Sequence, residues 1–181
     1  MKNDAIRRLC IFCGARPGHD PAFGSALLAL ADILLERDIT VVYGGGSIGL
    51  MGALADHMAR NNGRIIGVIP KDLEERELLH RDLTETYVVD SMHARKQKMH
   101  ELSDGFVLAP GGFGSLEEFF EALTWNQLGL HAKPCGILNT KGFYDHLLLF
   151  LDNALASGFL SDEDYRRVRV ASVPGELMRV M

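Results

Sequence analysis

The chain has 181 residues and a mean hydropathy of +0.04, which predicts one globular domain, residues 1–181, with a substantial buried core. Its 19 basic and 24 acidic residues give a net charge of −5, which argues against a nucleic-acid-binding protein. No apolar run reaches the ~18 residues of a membrane span, and the start lacks a signal-peptide core. We therefore expect a cytoplasmic protein that binds neither nucleic acid nor membrane.

Short apolar runs alternate with helical patterns along the whole chain. Helices are predicted at residues 22–37, 49–62, 91–102, 115–129 and 143–156, and strands at 9–13, 40–43, 65–69, 87–89, 106–109 and 135–138. This order predicts an α/β fold, with a Rossmann-like, open, mostly parallel sheet and helices on both faces. Ligands of such sheets bind outside the carboxyl ends of the strands. In the tail, we predict a helix cap at 161–164 and a last strand near 168–173.

Cys10 and Cys13 have the C-x-x-C spacing of redox and zinc motifs. Residues three apart in a strand point to opposite faces of the sheet, so we interpret both as small core residues. The seven histidines are scattered along the chain. We therefore predict neither a metal site nor a cofactor.

Two predicted strands end in loops suited to a ligand. The loop at 12–18 is rich in turn residues and either closes over a ligand or serves as a plain connection. The next strand ends in Gly44, Gly45 and Gly46, and with Gly49 these match the dinucleotide motif G-x-G-x-x-G. That motif follows the second strand instead of the first, and no acid closes the third strand, so an NAD(P)-dependent enzyme is a minor alternative.

The stretch P-G-G-F-G-S-L-E-E at 110–118 gives the strongest functional signal. Its glycines let a ligand approach the backbone, and the first amides of the following helix suit a phosphate. Glu117 and Glu118 would repel that phosphate, so we expect a glutamate to act on the attached sugar. Since parallel strands end at one edge of the sheet, this loop and the 44–46 loop are expected to face each other across a nucleoside monophosphate.

Arg95 shares an apolar helical stripe with Met92, Met99 and Leu102. A guanidinium keeps its charge, so it needs an anion there, either the ligand or a buried carboxylate, unless it extends past the methionines to solvent. From the pattern alone, we expect Lys96 to lie on a solvated face.

In the helix that follows the glycines of the 110–118 stretch, the predicted core stripe is Leu116, Phe119, Phe120 and Leu123. Glu118 then faces away from the core, where it is free to line a cleft or an interface. Helix-dipole stabilisation explains acids in this first turn, but it does not explain the glycines before them.

Together these motifs resemble the LOG ("Lonely guy") family of cytokinin riboside 5′-monophosphate phosphoribohydrolases. The matching segments are V-Y-G-G-G at 42–46, G-L-M-G at 49–52, M-H-A-R-K at 92–96 and the 110–118 stretch. The resemblance implies hydrolysis of the N-glycosidic bond of an adenosine 5′-monophosphate, with or without an N6 modification. The products are the free base and ribose 5-phosphate. It also implies that Arg95 and Glu118 form the catalytic pair.

The resemblance further implies a homodimer and a set of substrate-binding residues. Ser115 replaces the usual threonine and keeps its hydroxyl, whereas Ala15 replaces a common serine and removes a possible phosphate donor. Some members of the family have an old lysine decarboxylase label, but no lysine here lies in a recognisable pyridoxal-phosphate setting. The implied substrate-binding residues are Gly45, Gly46, Glu77, Lys96, Gly111, Gly112, Phe113, Gly114, Ser115, Leu116, Glu117 and Thr124.

Cleavage of a base from ribose passes through an oxocarbenium-like transition state, which a fixed carboxylate stabilises. We assign that role, and deprotonation of the attacking water, to Glu118. Arg95 would hold the phosphate or polarise the departing purine, and Glu77 would bind ribose hydroxyls. A non-catalytic nucleotide-binding or carrier protein would use the same loops, so it stays open as an alternative.

Overall fold

A computed structural model describes residues 6–74 and 79–181 of the chain. Within these ranges the strands are β1 (Arg8–Phe12), β2 (Thr40–Tyr43), β3 (Ile65–Pro70), β4 (Glu85–Val89), β5 (Gly105–Leu108), β6 (Cys135–Leu138) and β7 (Val168–Ala171). The helices are α1 (Ala22–Glu36), α2 (Gly49–Arg60), α3 (Lys71–Glu74), α4 (Met92–Leu102), α5 (Phe113–Gln127), α6 (Asp145–Ala156), α7 (Asp162–Tyr165) and α8 (Pro174–Val180).

The strands form one sheet in the order β4-β3-β2-β1-β5-β6-β7, and every neighbouring pair in it is parallel. This confirms the predicted Rossmann-like fold, with strand boundaries within two residues of those expected. The cap at Ser161 is also confirmed, because its side chain accepts a hydrogen bond from the Asp164 amide. Two helices, α3 and α8, were not predicted. None of the helices in the described ranges is long and apolar enough to cross a membrane.

Each face of the sheet has its own apolar core. On one face, α1 and α2 contribute residues such as Leu30 and Leu54. On the other, α4 and α5 contribute Met99 and Phe119. Burying one such side chain stabilises the fold by about 1.5–3 kcal/mol.

The C-x-x-C pair divides between these two cores as the strand alternation predicts. Cys13 belongs to the first core and Cys10 to the second, and both are buried free thiols. Burial, followed by the charge of Glu118, raises the pKa of both thiols. They are therefore unreactive core residues.

The loops after β1, β2 and β5 lie side by side at one edge of the sheet. The Gly14 amide donates to the Pro110 carbonyl (3.0 Å), and the Gly14 carbonyl accepts from the Leu50 amide (3.0 Å). Gly49 has φ +63°, and a Cβ there would lie 2.3 Å from the carbonyl carbon of Ala15. The two glycine loops therefore share an edge as predicted, with the loop after β1 between them.

Candidate active site

Arg95 is held by carbonyl groups of β3 and of the loop after β2. Helix α4 begins after Ser91, whose hydroxyl caps the Ala94 amide, so Arg95 falls in the first turn. Its Nε donates to the Val68 carbonyl (3.0 Å) and its Nη2 to the Gly44 carbonyl (3.1 Å). These two bonds fix the guanidinium plane before any ligand arrives.

Glu118 on α5 is the anion that Arg95 meets. Nη1 of Arg95 lies 3.3 Å from Oε1 of Glu118, and the two side chains are 10% and 11% exposed. Burial raises the pKa of Glu118 and Glu117 adds to the rise, while the Arg95 charge opposes it, leaving the pKa above its usual range. A carboxylate with a raised pKa is a stronger base, which suits general-base catalysis near neutral pH.

The prediction that Glu118 faces away from the core was wrong. Leu116, Phe120 and Leu123 of the predicted stripe are only half-buried, and Phe119 alone of the four is fully buried. The buried face of α5 differs from the predicted stripe because the helix packs Glu118 inward as part of an ion pair. The spacing of apolar residues does not indicate a buried charge. The residues of α5 that are buried are Ser115, Glu118, Phe119, Ala122 and Asn126.

Lys96 is also buried, contrary to the solvated face that its pattern predicts. Its ammonium donates to Glu117 and, over 2.8 Å, to Glu121. Burial alone would lower the pKa of Lys96, but the hydrogen bonds to Glu117 and Glu121 outweigh it and raise the pKa. Sequence reasoning missed Glu121, although its i, i+4 spacing from Glu117 places both acids on one side of the helix.

The glycines after β2 make room for the protein's own side chains. A Cβ on Gly44 would lie 1.9 Å from Nη2 of Arg95, and one on Gly46 would lie 2.7 Å from Cε of Met51. Gly45 has φ +76°, and both Gly45 and Gly46 are buried. These two remain predicted substrate contacts, but the packing that they permit already accounts for them.

The start of α5, with the glycine before it, has a different character. Gly112, Phe113 and Gly114 are exposed, and a Cβ on either glycine would meet nothing within 4 Å. No side chain in the described ranges caps the first amides of α5. Open backbone at an uncapped helix start is the arrangement expected of an anion-binding loop.

A cavity of about 530 Å³ opens beside this loop. It lies at the carboxyl ends of the neighbouring strands β1 and β5, from which the chain continues to opposite halves of the sheet. This is the usual ligand crevice of such folds. Arg95 and Glu118 lie outside its lining, on the side of α4 and α5. The residues that line it are Gly14, Ala15, Arg16, Pro17, Gly18, Phe23, Leu50, Pro110, Gly111, Gly112, Phe113 and Phe143.

Among the described site residues, Thr124 is not brought to the pair. Thr124 is exposed, donates to the Phe120 carbonyl (2.7 Å), and lines a separate cavity of about 160 Å³ with Leu160 and Tyr165. Glu77 lies outside the described residues. Among residues 6–74 and 79–181, no three His, Cys, Asp or Glu side chains gather closely enough to hold a metal ion.

The Rossmann-like sheet, with an open glycine loop and a buried Arg–Glu pair near its strand ends, places the chain in the class of α/β proteins with a ligand crevice at the strand ends. Solved structures with this fold include a molybdenum cofactor binding protein from Rippkaea orientalis, with TM-score 0.72 and 19% identity over 98% of this chain and 96% of that one. Another is the Moco carrier protein of Chlamydomonas reinhardtii, with TM-score 0.70 and 18% identity over 97% and 95% of the two chains. At this identity they establish the fold alone.

Sequence relatives establish the family. Residues 51–181 match the family model described as "Possible lysine decarboxylase". The chain is 42% identical to the cytokinin riboside 5′-monophosphate phosphoribohydrolase LOG2 of Arabidopsis thaliana, over 97% of this chain and 83% of that protein. It is 45% identical to the enzyme LOG of Oryza sativa, over 94% and 70% of the two chains. The chain belongs to the LOG family, as its motifs predict.

Proposed function

We propose that this protein hydrolyses the N-glycosidic bond of adenosine-type nucleoside 5′-monophosphates, releasing the free base and ribose 5-phosphate. The observation that supports this most directly is the buried Arg95–Glu118 pair, 3.3 Å apart, with Glu118 on the helix that begins at the open loop. The similarity to phosphoribohydrolases over nearly the whole chain supports the same reaction.

Glu118 is the group that acts on the sugar. As a carboxylate it stabilises the positive charge that develops at C1′ and the ring oxygen, and it accepts a proton from the attacking water. The water's oxygen forms a bond to C1′ as the bond from C1′ to the base nitrogen breaks. The departing base takes the electron pair of that bond and the proton that Glu118 received, which returns Glu118 to the carboxylate.

Arg95 acts mainly by holding Glu118. Two of its five N–H groups are committed to backbone carbonyls, and Nη1 faces the carboxylate. Its charge opposes the rise in the pKa of Glu118 and so favours the ionised carboxylate. The N–H groups that remain can donate to the departing base, whereas a bidentate grip on the phosphate would require this anchorage to break.

The phosphate belongs on the open amides of residues 112–114. Binding there positions C1′ near Glu118 and supplies binding energy remote from the reacting bond. A nucleoside that lacks the phosphate loses this contribution, so it should react poorly.

The test is to incubate the purified protein separately with AMP, isopentenyladenosine 5′-monophosphate and isopentenyladenosine. Chromatography then measures free base and ribose 5-phosphate. Base from the monophosphates but not from the nucleoside is expected, and the relative rates rank the bases. Tight nucleotide binding with no base released would identify a carrier instead.

We also propose that the protein is a homodimer. Apolar side chains around α6 are exposed, with Leu149 and Phe150 each 61% exposed and Phe159 85% exposed, and pairing of two chains would cover such a surface. Size-exclusion chromatography with light scattering measures the mass directly. A monomer at micromolar concentration would contradict the proposal.

A further inference from the structure

We propose that Arg16 is the residue that makes this site specific for a 5′-phosphate. The inference rests on the proposed function. It assigns to Arg16 a phosphate contact in the loop where Ala15 has no hydroxyl to donate. Arg16 lies in the loop after β1, next to the position where a serine hydroxyl is missing from this chain.

The loop holds the backbone around Arg16 beside the open amides. Gly14, two residues before it, is hydrogen-bonded to Pro110 and to Leu50, and a Cβ on Gly14 would lie 3.4 Å from the Cα of Gly111. Arg16 and Gly111 line the same 530 Å³ cavity. A phosphate seated on the loop before α5 therefore lies against the segment that contains Arg16.

Arg16 is available for a ligand. It is exposed, and no carboxylate in residues 6–74 and 79–181 comes within 4.0 Å of its guanidinium nitrogens. Several other arginines, such as Arg60 and Arg167, are engaged by acids. Within the described residues, Arg16 therefore has no competing carboxylate at the rim of the cavity and can meet an anion there.

The walls of the cavity strengthen that attraction. Phe23, Leu50 and Phe143 form an apolar side, and the rings of Phe23 and Phe143 lie edge to face at 5.2 Å. Charges attract more strongly where water is displaced by apolar groups. The guanidinium offers two parallel N–H groups that match two phosphate oxygens, which a single hydroxyl cannot do.

Arg16 and Glu118 lie on different sides of the loop before α5, which also fits this role. Arg16 lies on the cavity side of the loop before α5, while Glu118 lies below the loop on the side of α4 and α5. A nucleotide that spans the loop is held at its phosphate by Arg16 and presented at C1′ to Glu118. Arg16 therefore contributes to binding equally in the ground state and the transition state, since it does not touch the reacting bond.

The experiment measures ribose 5-phosphate binding by calorimetry and monophosphate hydrolysis by chromatography, on wild type, R16Q and R16K. The control is R166Q, because Arg166 is an exposed arginine next to α7, far along the chain from the loop. Loss of a charge-assisted contact predicts that R16Q binds ribose 5-phosphate at least ~10-fold more weakly and raises KM by the same factor, with kcat largely unchanged. R16K should recover part of the affinity, since lysine restores the positive charge but not the two parallel N–H groups of the guanidinium.

Each outcome decides the inference. A loss in R16Q of less than ~10-fold in ribose 5-phosphate affinity would overturn it, as would no binding by the wild type, or an equal loss in R166Q. The binding arm does not depend on catalysis. If the wild type binds ribose 5-phosphate through Arg16 but releases no base, the proposed function fails while this inference stands.

Discussion

Lys96 on α4 lies 2.8 Å from Glu121 on α5, beside the Arg95–Glu118 pair that joins the same two helices. The two cations of α4 thus face three acids of α5, since Lys96 also binds Glu117. If all five are ionised, one negative charge is in excess beneath the loop. The protonation of Glu118 therefore depends on a neighbour that does not touch it.

Replacing Lys96 with methionine should move the acidic limb of the kcat/KM profile to higher pH. The Lys96 charge lowers the pKa of Glu118, so its removal lets that pKa rise, and the active carboxylate is then lost earlier as the pH falls. K98M is the matched control, because Lys98 lies on the same helix and pairs with Glu101 over 3.9 Å. An acidic limb that stays in place in K96M would show that Lys96 has no electrostatic influence on Glu118.

Replacing Glu118 with glutamine should reduce kcat by at least ~10²-fold, the lower range for one acid–base group. The amide keeps the shape and accepts a hydrogen bond from Arg95, but it has no charge and cannot take a proton. Steady-state base release measures kcat, and binding of ribose 5-phosphate should stay unchanged. E101Q on α4, an exposed acid, serves as the control. Near-normal turnover in E118Q would place the chemistry elsewhere.

The same E118Q variant should be more stable than wild type at neutral pH. The pKa of Glu118 is raised in the folded state, so folding disfavours the carboxylate, and its contribution to stability falls as the pH rises through that pKa. Below the unfolded pKa, ~4.3, wild-type Glu118 is protonated too, and the difference should vanish. Thermal unfolding from pH 4 to 8 measures it. A Tm of E118Q that is lower than wild type at pH 7 would mean that the Arg95 charge is left uncompensated.

The sequence predicted the sheet, its parallel strands and the shared edge of the loops, because each of these follows from alternation of apolar runs and from topology. It also predicted that Arg95 needs a partner, since a permanent charge in an apolar stripe leaves few choices. It could not predict that Glu118 and Lys96 are buried. Both are polar residues that enter the interior only because their partners come from another helix, and that pairing is a tertiary contact.

The glycines show the same limit in another form. Gly112 and Gly114 face open space, as expected for backbone that a ligand approaches, but Gly44 is small because Arg95 occupies the space beside it. A glycine in a motif can therefore reflect either access for a ligand or packing against a side chain of the protein, and the motif alone does not distinguish the two. Helix α8 was missed because its seven residues, Pro174–Val180, are too few to show a period.

Replacing Arg95 with lysine should lower both turnover and stability. The ammonium keeps the charge, but it cannot donate to Gly44, Val68 and Glu118 in the fixed directions of the guanidinium. A buried carbonyl left without a donor costs about 1–3 kcal/mol. Urea denaturation measures that loss of stability. The kcat of folded R95K should also fall, because Glu118 is no longer held in place. Full activity together with full stability would mean that any cation serves at this position.

Replacing Gly44 with alanine should damage the site without touching a charged residue. The new Cβ would lie 1.9 Å from Nη2 of Arg95, so the guanidinium must leave the Gly44 carbonyl and withdraw from Glu118. Overpacking of this kind costs about 1–3 kcal/mol, and kcat should fall as in R95K. G175A is the control, since a Cβ there meets nothing within 4 Å, and it should unfold like wild type. The damage in G44A comes from displacing Arg95. The double variant G44A/R95K should therefore lose less stability and less kcat than the sum of the losses in the two single variants. Additive losses would show that Gly44 acts independently of Arg95.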